Sequence, residues 1–203
     1  MGLREKKKAR TKQAILMNAH KLLSAKDYNE ITMDEIAEAS DIAVGTLYNY
    51  FRSKGDLLLS LINESDDDYL MEARNLIRDS DAPAESRLTD LMVLASEFCV
   101  DRLSKSTWRH VSAAALANAD SDMGRMYAET SEKHLAMVID LMRRLKVSGE
   151  IGAEVDADAA AMTIFSMKSK MFLDFVSDVP MTLEQHRAQV RQGVHFFLHG
   201  IAP

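Results

Sequence analysis

Residues 32–54, TMDEIAEASDIAVGTLYNYFRSK, gather hydroxyls, phenols, an amide and an ammonium at spacings suited to gripping a phosphodiester backbone and reading base edges. Thr32 with Glu35 three residues later forms a capping box that starts a helix. Beyond that cap, the Thr32 hydroxyl and the free amides beside it are placed to accept a phosphate. Gly45 falls inside a second short helix, about residues 43–49, where glycine costs about 1 kcal/mol against alanine. Bare backbone at that point lets a large polyanion approach closely. Thr46 is the first candidate for base edges or the adjacent phosphate. Tyr48 and Tyr50 each join a flat apolar ring to a hydroxyl, with core packing the alternative for one of them. Asn49 carries the amide that pairs with adenine, and Val44 or Ala43 can meet a thymine methyl. Lys54, opening the next helix, is expected to contact phosphate through its ammonium and the helix N-terminus. Between Ala43 and Asn49 there is no Arg or Lys. Base readout must therefore lean on few hydrogen bonds, methyl contacts and DNA shape.

These side chains need elements that hold them outward. Ile36 and Ala37 give the first short helix an apolar ridge with a small residue for close crossing, and Ser40-Asp41-Ile42 breaks it. Leu47 and Phe51 are assigned to the core. A second helix so held can lie in a major groove about 12 Å wide. Upstream, Ile15, Ala19, Leu22 and Leu23 make one stripe on a helix expected from Lys8 to Ala25. Downstream, Ser53 can cap a long helix from Lys54 towards Arg78, with Leu57, Leu58, Leu61 and Ile62 inward and Asp66-Asp67-Asp68 crossing a solvated surface. Further helices are expected at about 84–105, 108–118, 121–147, 156–176 and 182–198, separated by breaks such as Ser148-Gly149 and Asp178-Val179-Pro180.

Composition agrees with an all-α chain: 47% hydrophobic residues, 8 Gly and 3 Pro in 203 residues. The net charge of −6 argues against nucleic acid until its distribution is read. Residues 1–60 hold 10 Lys and Arg against 8 Asp and Glu, a net +2, and the remainder carries −8. Arg4, Lys6, Lys7, Lys8, Arg10 and Lys12 face only Glu5, so a basic arm precedes the helix-turn-helix and polarises the molecule. The single Cys99 rules out an intrachain disulfide and suits a reducing compartment. With no signal peptide and no apolar run of the ~20 residues a membrane span needs, a soluble cytoplasmic protein without membrane contact is expected.

A basic N-terminal helix, then T-x-x-E-I-A, then V-G-T-L-Y-N-Y-F-R-S-K, then a long helix and a divergent helical body resembles the TetR family of bacterial transcriptional regulators. The motif likeness covers residues 10–60; the body agrees only in length, helicity and its final apolar helix pair. The resemblance implies an N-terminal three-helix helix-turn-helix DNA-binding domain over residues 1–54. It also implies a helical ligand-binding and dimerisation domain over residues 55–203. The implied protein is a homodimer on a palindromic double-stranded operator, a repressor released by a small-molecule effector. The alternative is a DNA-binding regulator without such an effector, controlled by a protein partner or acting as an activator.

For the body, Phe98, Trp108, Tyr127, His134, Phe165 and Met167 are the candidate pocket lining, and the 13 methionines suit an adaptable apolar cavity. Phe172, Phe175, Val190, Val194, Phe197 and Leu198 are the candidate dimer interface, since two such helix pairs can form a four-helix bundle. His195 and His199 share an i, i+4 spacing, but no acidic residue lies between them, and a surface or interface role is expected in place of a metal. Cys99 on an apolar face is expected to be inert. Neither a glycine-rich phosphate loop, a nucleophile–base pair nor a metal-ligand cluster appears, so no enzymatic activity and no cofactor are expected.

Overall fold

In the computed structural model, which describes residues 2–79 and 81–199, the described residues form nine α-helices and no strand. They are α1 (Leu3–Ala25), α2 (Met33–Ala39), α3 (Val44–Tyr48), α4 (Lys54–Asp79), α5 (Ala84–Arg102), α6 (Lys105–Ala117), α7 (Asp122–Val147), α8 (Ala157–Ser177) and α9 (Leu183–His199). A 3-10 turn, Tyr28–Glu30, links α1 to α2.

Most boundaries fall where local chemistry puts them. Ser104, Ser121 and Asp156 each accept backbone N–H groups from the first turn of α6, α7 and α8. Ser53 does so for Asp56 at the start of α4, as its position suggested, while Asp56 reaches back to the Arg52 N–H at 2.9 Å. Two boundaries differ from the sequence reading. The break before α6 is Leu103–Ser104, because Ser104 caps there, and α1 begins at Leu3.

That early start corrects the picture of a basic arm. Lys6, Lys7 and Lys8 are exposed, but they stand on a helix and so point about 100° apart. The three side chains therefore fan around the helix axis and do not form one strip.

The N-terminal core is built from Ile15, Leu16, Ala19, Leu23, Ile31, Ile36, Leu47 and Phe51, all at 2% exposure or less, closed by Leu57 and Leu58 of α4. Thus α4 serves both halves: its first turns finish this core, and its later residues Tyr69, Ala73 and Ile77 enter the body. The end of α1 is also docked, with the Ser24 hydroxyl donating to Arg102 O at 2.9 Å and Ser104 N–H to Leu23 O at 3.3 Å.

In the body, α8 and α9 form an antiparallel pair packed on α5 and α7. Four of the residues expected at a dimer interface lie inside this packing instead. Phe172 is 7% exposed, Phe175 1%, and Val190 and Val194 0%. Each faces the interior because the pair must first bury its own stripe against α5, α6 and α7. Phe175 stacks on His186 at 4.5 Å, and His186 Nε2 meets the Ser96 hydroxyl at 3.0 Å. Phe197 and Leu198 are half-buried against the body core. The outward face carries Met162 on α8 and Ala188 and Phe196 on α9.

Candidate nucleic-acid interface and body cavity

The helix-turn-helix is organised by its caps and one buried leucine. Thr32 Oγ1 accepts the Glu35 N–H at 3.2 Å while Glu35 Oε2 accepts the Thr32 N–H at 3.0 Å, completing the capping box that the spacing predicted. Lys26 pairs with Glu35 at 2.9 Å. The hydrogen bonds from Lys26, then Thr32, hold that carboxyl below its ordinary range. α2 ends in a Schellman turn: Ile42 N–H bonds to Ala37 O and Asp41 N–H to Glu38 O, with Asp41 in the left-handed region at φ 51°. Ile42, the one apolar residue of the turn, closes the motif by leaning on the core.

At five residues, α3 is far too short to persist alone, and it has no side-chain cap. Leu47, fully buried, anchors it, a contribution of about 1.5–3 kcal/mol. Around that anchor Gly45, Tyr48 (50% exposed) and Asn49 face outward, Thr46 is half-buried, and Val44 and Tyr50 lean on the core. A Cβ built on Gly45 meets no atom within 4 Å, and the residue lacks a positive φ. Neither packing nor backbone conformation within the protein demands glycine there. Thr32 is exposed at its cap, with its hydroxyl engaged by Glu35.

Lys54 is not where a phosphate contact would put it. Its ammonium donates to Tyr28 O and, at 2.6 Å, to Ile31 O, and it sits 4.0 Å from the centre of the Tyr28 ring. Burial lowers its pKa. Tyr28 in turn stacks on His110 of α6 at 4.0 Å. The positive end of α4 would repel an ammonium, so the side chain folds back onto carbonyl oxygens of the 3-10 turn. Sequence spacing alone does not show those carbonyls.

In the body, five of the six expected lining residues, Phe98, Trp108, Tyr127, His134 and Phe165, surround one cavity of about 70 Å³ between α4, α5, α6, α7 and α8. Met167 does not; it packs in the α8–α9 contact over Gly193. Among the further lining residues, three ionisable ones were not expected there. Asp66, expected on a solvated surface, is 5% exposed and takes Lys133 Nζ at 2.8 Å and His134 Nε2 at 3.2 Å. Burial raises its pKa, but the bonds from His134 and Lys133 together outweigh it and hold the carboxyl below its ordinary value. Cys99 faces the same space, its thiol pushed up to about 12 by burial, which keeps it protonated and unreactive. Lys168 is the third, 8% exposed between the rings of Phe165 and Phe172. An inward lysine on an apolar helix was the available signal, and it was passed over. At the far end of the body, His195 Nδ1 and His199 Nε2 both reach Glu85 Oε2, at 3.2 and 3.1 Å, clasping the end of α9 to the start of α5.

Residues 15–61 match the family described as bacterial regulatory proteins, tetR family. Among curated proteins, the chain is 36% identical over 80 residues to an uncharacterised HTH-type transcriptional regulator, YuxN, of Bacillus subtilis, covering 39% of this chain and 28% of that protein. It is 33% identical over 69 residues to the HTH-type transcriptional regulator TcmR of Streptomyces glaucescens, covering 34% and 30%. These matches span less than a third of either relative's length. Among solved structures, the regulator FadR of Bacillus subtilis in complex with stearoyl-CoA superposes with a TM-score of 0.71 at 19% identity, covering 94% of this chain and 99% of that one. A protein from Mesorhizobium loti, titled a TetR-family transcriptional regulator, gives 0.69 at 22% identity, covering 94% and 96%. The likeness to these solved structures is thus one of fold, and the family-model match falls on the helix-turn-helix.

Proposed function

Since the chain belongs to the TetR family of bacterial regulatory proteins, a family of DNA-binding transcriptional regulators and not of enzymes, we propose that it is a homodimeric cytoplasmic repressor. It binds a palindromic operator and lets go when a small molecule enters the body cavity. The observation that carries this reading is α4. One unbroken helix closes the DNA-binding core with Leu57 and Leu58 and then supplies Ile62, Asp66 and Tyr69 to the cavity wall. A ligand that displaces those side chains tilts the same rod that closes the core into which α3 anchors Leu47. Two copies need both recognition helices about 34–36 Å apart on one duplex face, so a small rotation of α4 disengages one half-site. Such a ligand shifts the population only by its differential affinity for the two arrangements.

On the DNA side, Gly45, Thr46, Tyr48 and Asn49 meet the groove. Thr32, Val44 and Tyr50 flank it, and part of the Lys6–Lys8 set follows the backbone. The dimer forms through the outward face of α8 and α9, where Met162, Ala188 and Phe196 are exposed, with Phe197 and Leu198 at its margin.

Selection of bound fragments from genomic DNA, followed by footprinting, tests the proposal. A protected inverted repeat occupied by two protomers is expected. Protection of a single unrepeated half-site, or no retention at low salt, overturns it.

One observation favours the regulator without a small-molecule effector. The cavity, at about 70 Å³, is smaller than the few hundred Å³ of ordinary ligand pockets. A ligand the size of the stearoyl-CoA found with the Bacillus FadR exceeds it. The effector, on the leading reading, is compact. A body that accepts no organic compound in a screen that includes small acids and amides decides for the alternative.

A further inference from the structure

Lys168 lies in the cavity wall with 8% of its surface exposed. Its ammonium sits 5.6 and 5.5 Å from the ring centres of Phe165 and Phe172. Among the described residues no hydrogen-bond acceptor meets it, while two half-buried lysines are well supplied: Lys105 donates to Asp178 O and Met181 O, and Lys54 to two carbonyls. The nearby carboxylate is Asp66, whose two oxygens are already taken by Lys133 and His134. The other polar groups at the cavity are the Cys99 thiol, protonated, the hydroxyls of Tyr69, Tyr127, Thr130, Ser131 and Ser169, and the Trp108 indole N–H, which donates to Cys99 O; none carries a charge. A charge withdrawn from water without a counter-charge is among the costliest arrangements a protein can keep, and aromatic faces offset only part of that cost. Burial pushes the Lys168 pKa down, and its field helps to depress His134 and His186.

Building on the effector reading above, we propose that the cavity takes a compact organic monoanion, a carboxylate on a short apolar or aromatic body, with Lys168 as its counter-ion. The aromatic walls of Phe98, Trp108, Phe165 and Phe172 would cover the apolar part. A water needs about 10–15 Å³ on the scale by which this cavity measures about 70 Å³, so there is room for about five waters or one small ring. Long acyl chains are thereby disfavoured. The anion would also bridge α8 to the α4 wall through the network of Asp66, Lys133 and His134, which is how the ligand would reach the DNA-binding end.

The test uses matched pairs that differ only in charge: benzoate against benzamide, and hexanoate against hexanamide. Calorimetric titration at pH 7 into the full chain is expected to give each acid at least a tenfold lower Kd than its amide. In Lys168→Met, which keeps the length and removes the charge, the difference should shrink to within twofold. The ligand-free variant should melt higher than the parent, because an uncompensated buried charge is gone. Acid and amide binding alike overturns the anion while leaving the effector cavity standing. Discrimination that survives in Lys168→Met overturns it too, as does a wild type that binds neither pair. A variant that melts several degrees lower would make Lys168 a structural residue and end the proposal. Operator binding by ligand-free Lys168→Met is measured alongside; its loss would count against the regulator mechanism and not against the anion.

Discussion

Replacing Lys54 by Met removes an ammonium and keeps its stem. The structure makes this a stability mutation, although position and charge would suggest a DNA-binding one. Two charge-assisted hydrogen bonds, to Tyr28 O and Ile31 O, disappear, together with the contact over the Tyr28 ring. Each charged hydrogen bond is worth about 1.5–3 kcal/mol and the ring contact about 0.5–1. Part of that is returned, because the ammonium no longer has to be desolvated beside the N-terminus of α4. The net loss is about 2–3 kcal/mol. For a chain of this length that is a fall of about 5–10 °C in Tm. Thermal unfolding followed by circular dichroism measures it, and operator titrations across salt, well below Tm, measure the other side. The salt slope should stay at the wild-type value, since no phosphate contact is lost. A Tm within about 1 °C of wild type, with the slope reduced by about 0.9, would refute the assignment and restore Lys54 to the backbone.

Gly45→Ala should raise stability by about 0.5–1 kcal/mol, because a Cβ there meets nothing in the protein, yet weaken operator binding by tenfold or more if DNA lies against that backbone. Chemical denaturation and anisotropy on one preparation separate the two effects, and equal or tighter DNA binding would dismiss the close approach. Changing Lys6, Lys7 and Lys8 together to Ala should lower the salt slope by about one to two and not by about three, because the helix splays them; a fall near three would mean that they act as an extended arm in the complex. His186 gives a pH prediction. Burial first, then Lys168 and Lys105, depress its pKa to about 4, against about 6.5 unfolded. The fold therefore favours the neutral ring, and between those values the unfolded chain binds more protons. Its contribution is fully present above about pH 6.5 and is lost as pH falls towards 4, a change of order 3 kcal/mol. His186→Gln should flatten that acid limb in urea melts taken from pH 7 to 4, and an unchanged limb would place the proton elsewhere.

Much of the DNA-binding end was legible because its information is local. A capping box spans three residues, Leu47 faces inward by helical period, and the break at Ser40-Asp41-Ile42 announces a turn. Breaks in the body such as Ser148-Gly149 and Asp178-Val179-Pro180 were legible for the same reason. The misreadings share a different cause. Periodicity shows that Phe172, Phe175, Val190 and Val194 form a buried stripe, but it does not say whether the covering surface is another helix of the same chain or a second copy. Likewise a run of three aspartates reads as solvated, and only α7 crossing α4 brings Lys133 and His134 onto Asp66.

What the chain determined by itself, then, is its helices, their ends, the inward residues and the polarity of one basic end, all set by interactions within a few residues. Tertiary packing alone decided where the charges ended up: Lys54 turned onto the carbonyls of the 3-10 turn, Lys168 brought between two rings, and Glu85 set against two histidines 110 and 114 residues away. The physical reason is that hydrophobic burial has no direction and can be anticipated from pattern. The neighbour a charge finds depends instead on which distant segments the packing brings within a few ångströms.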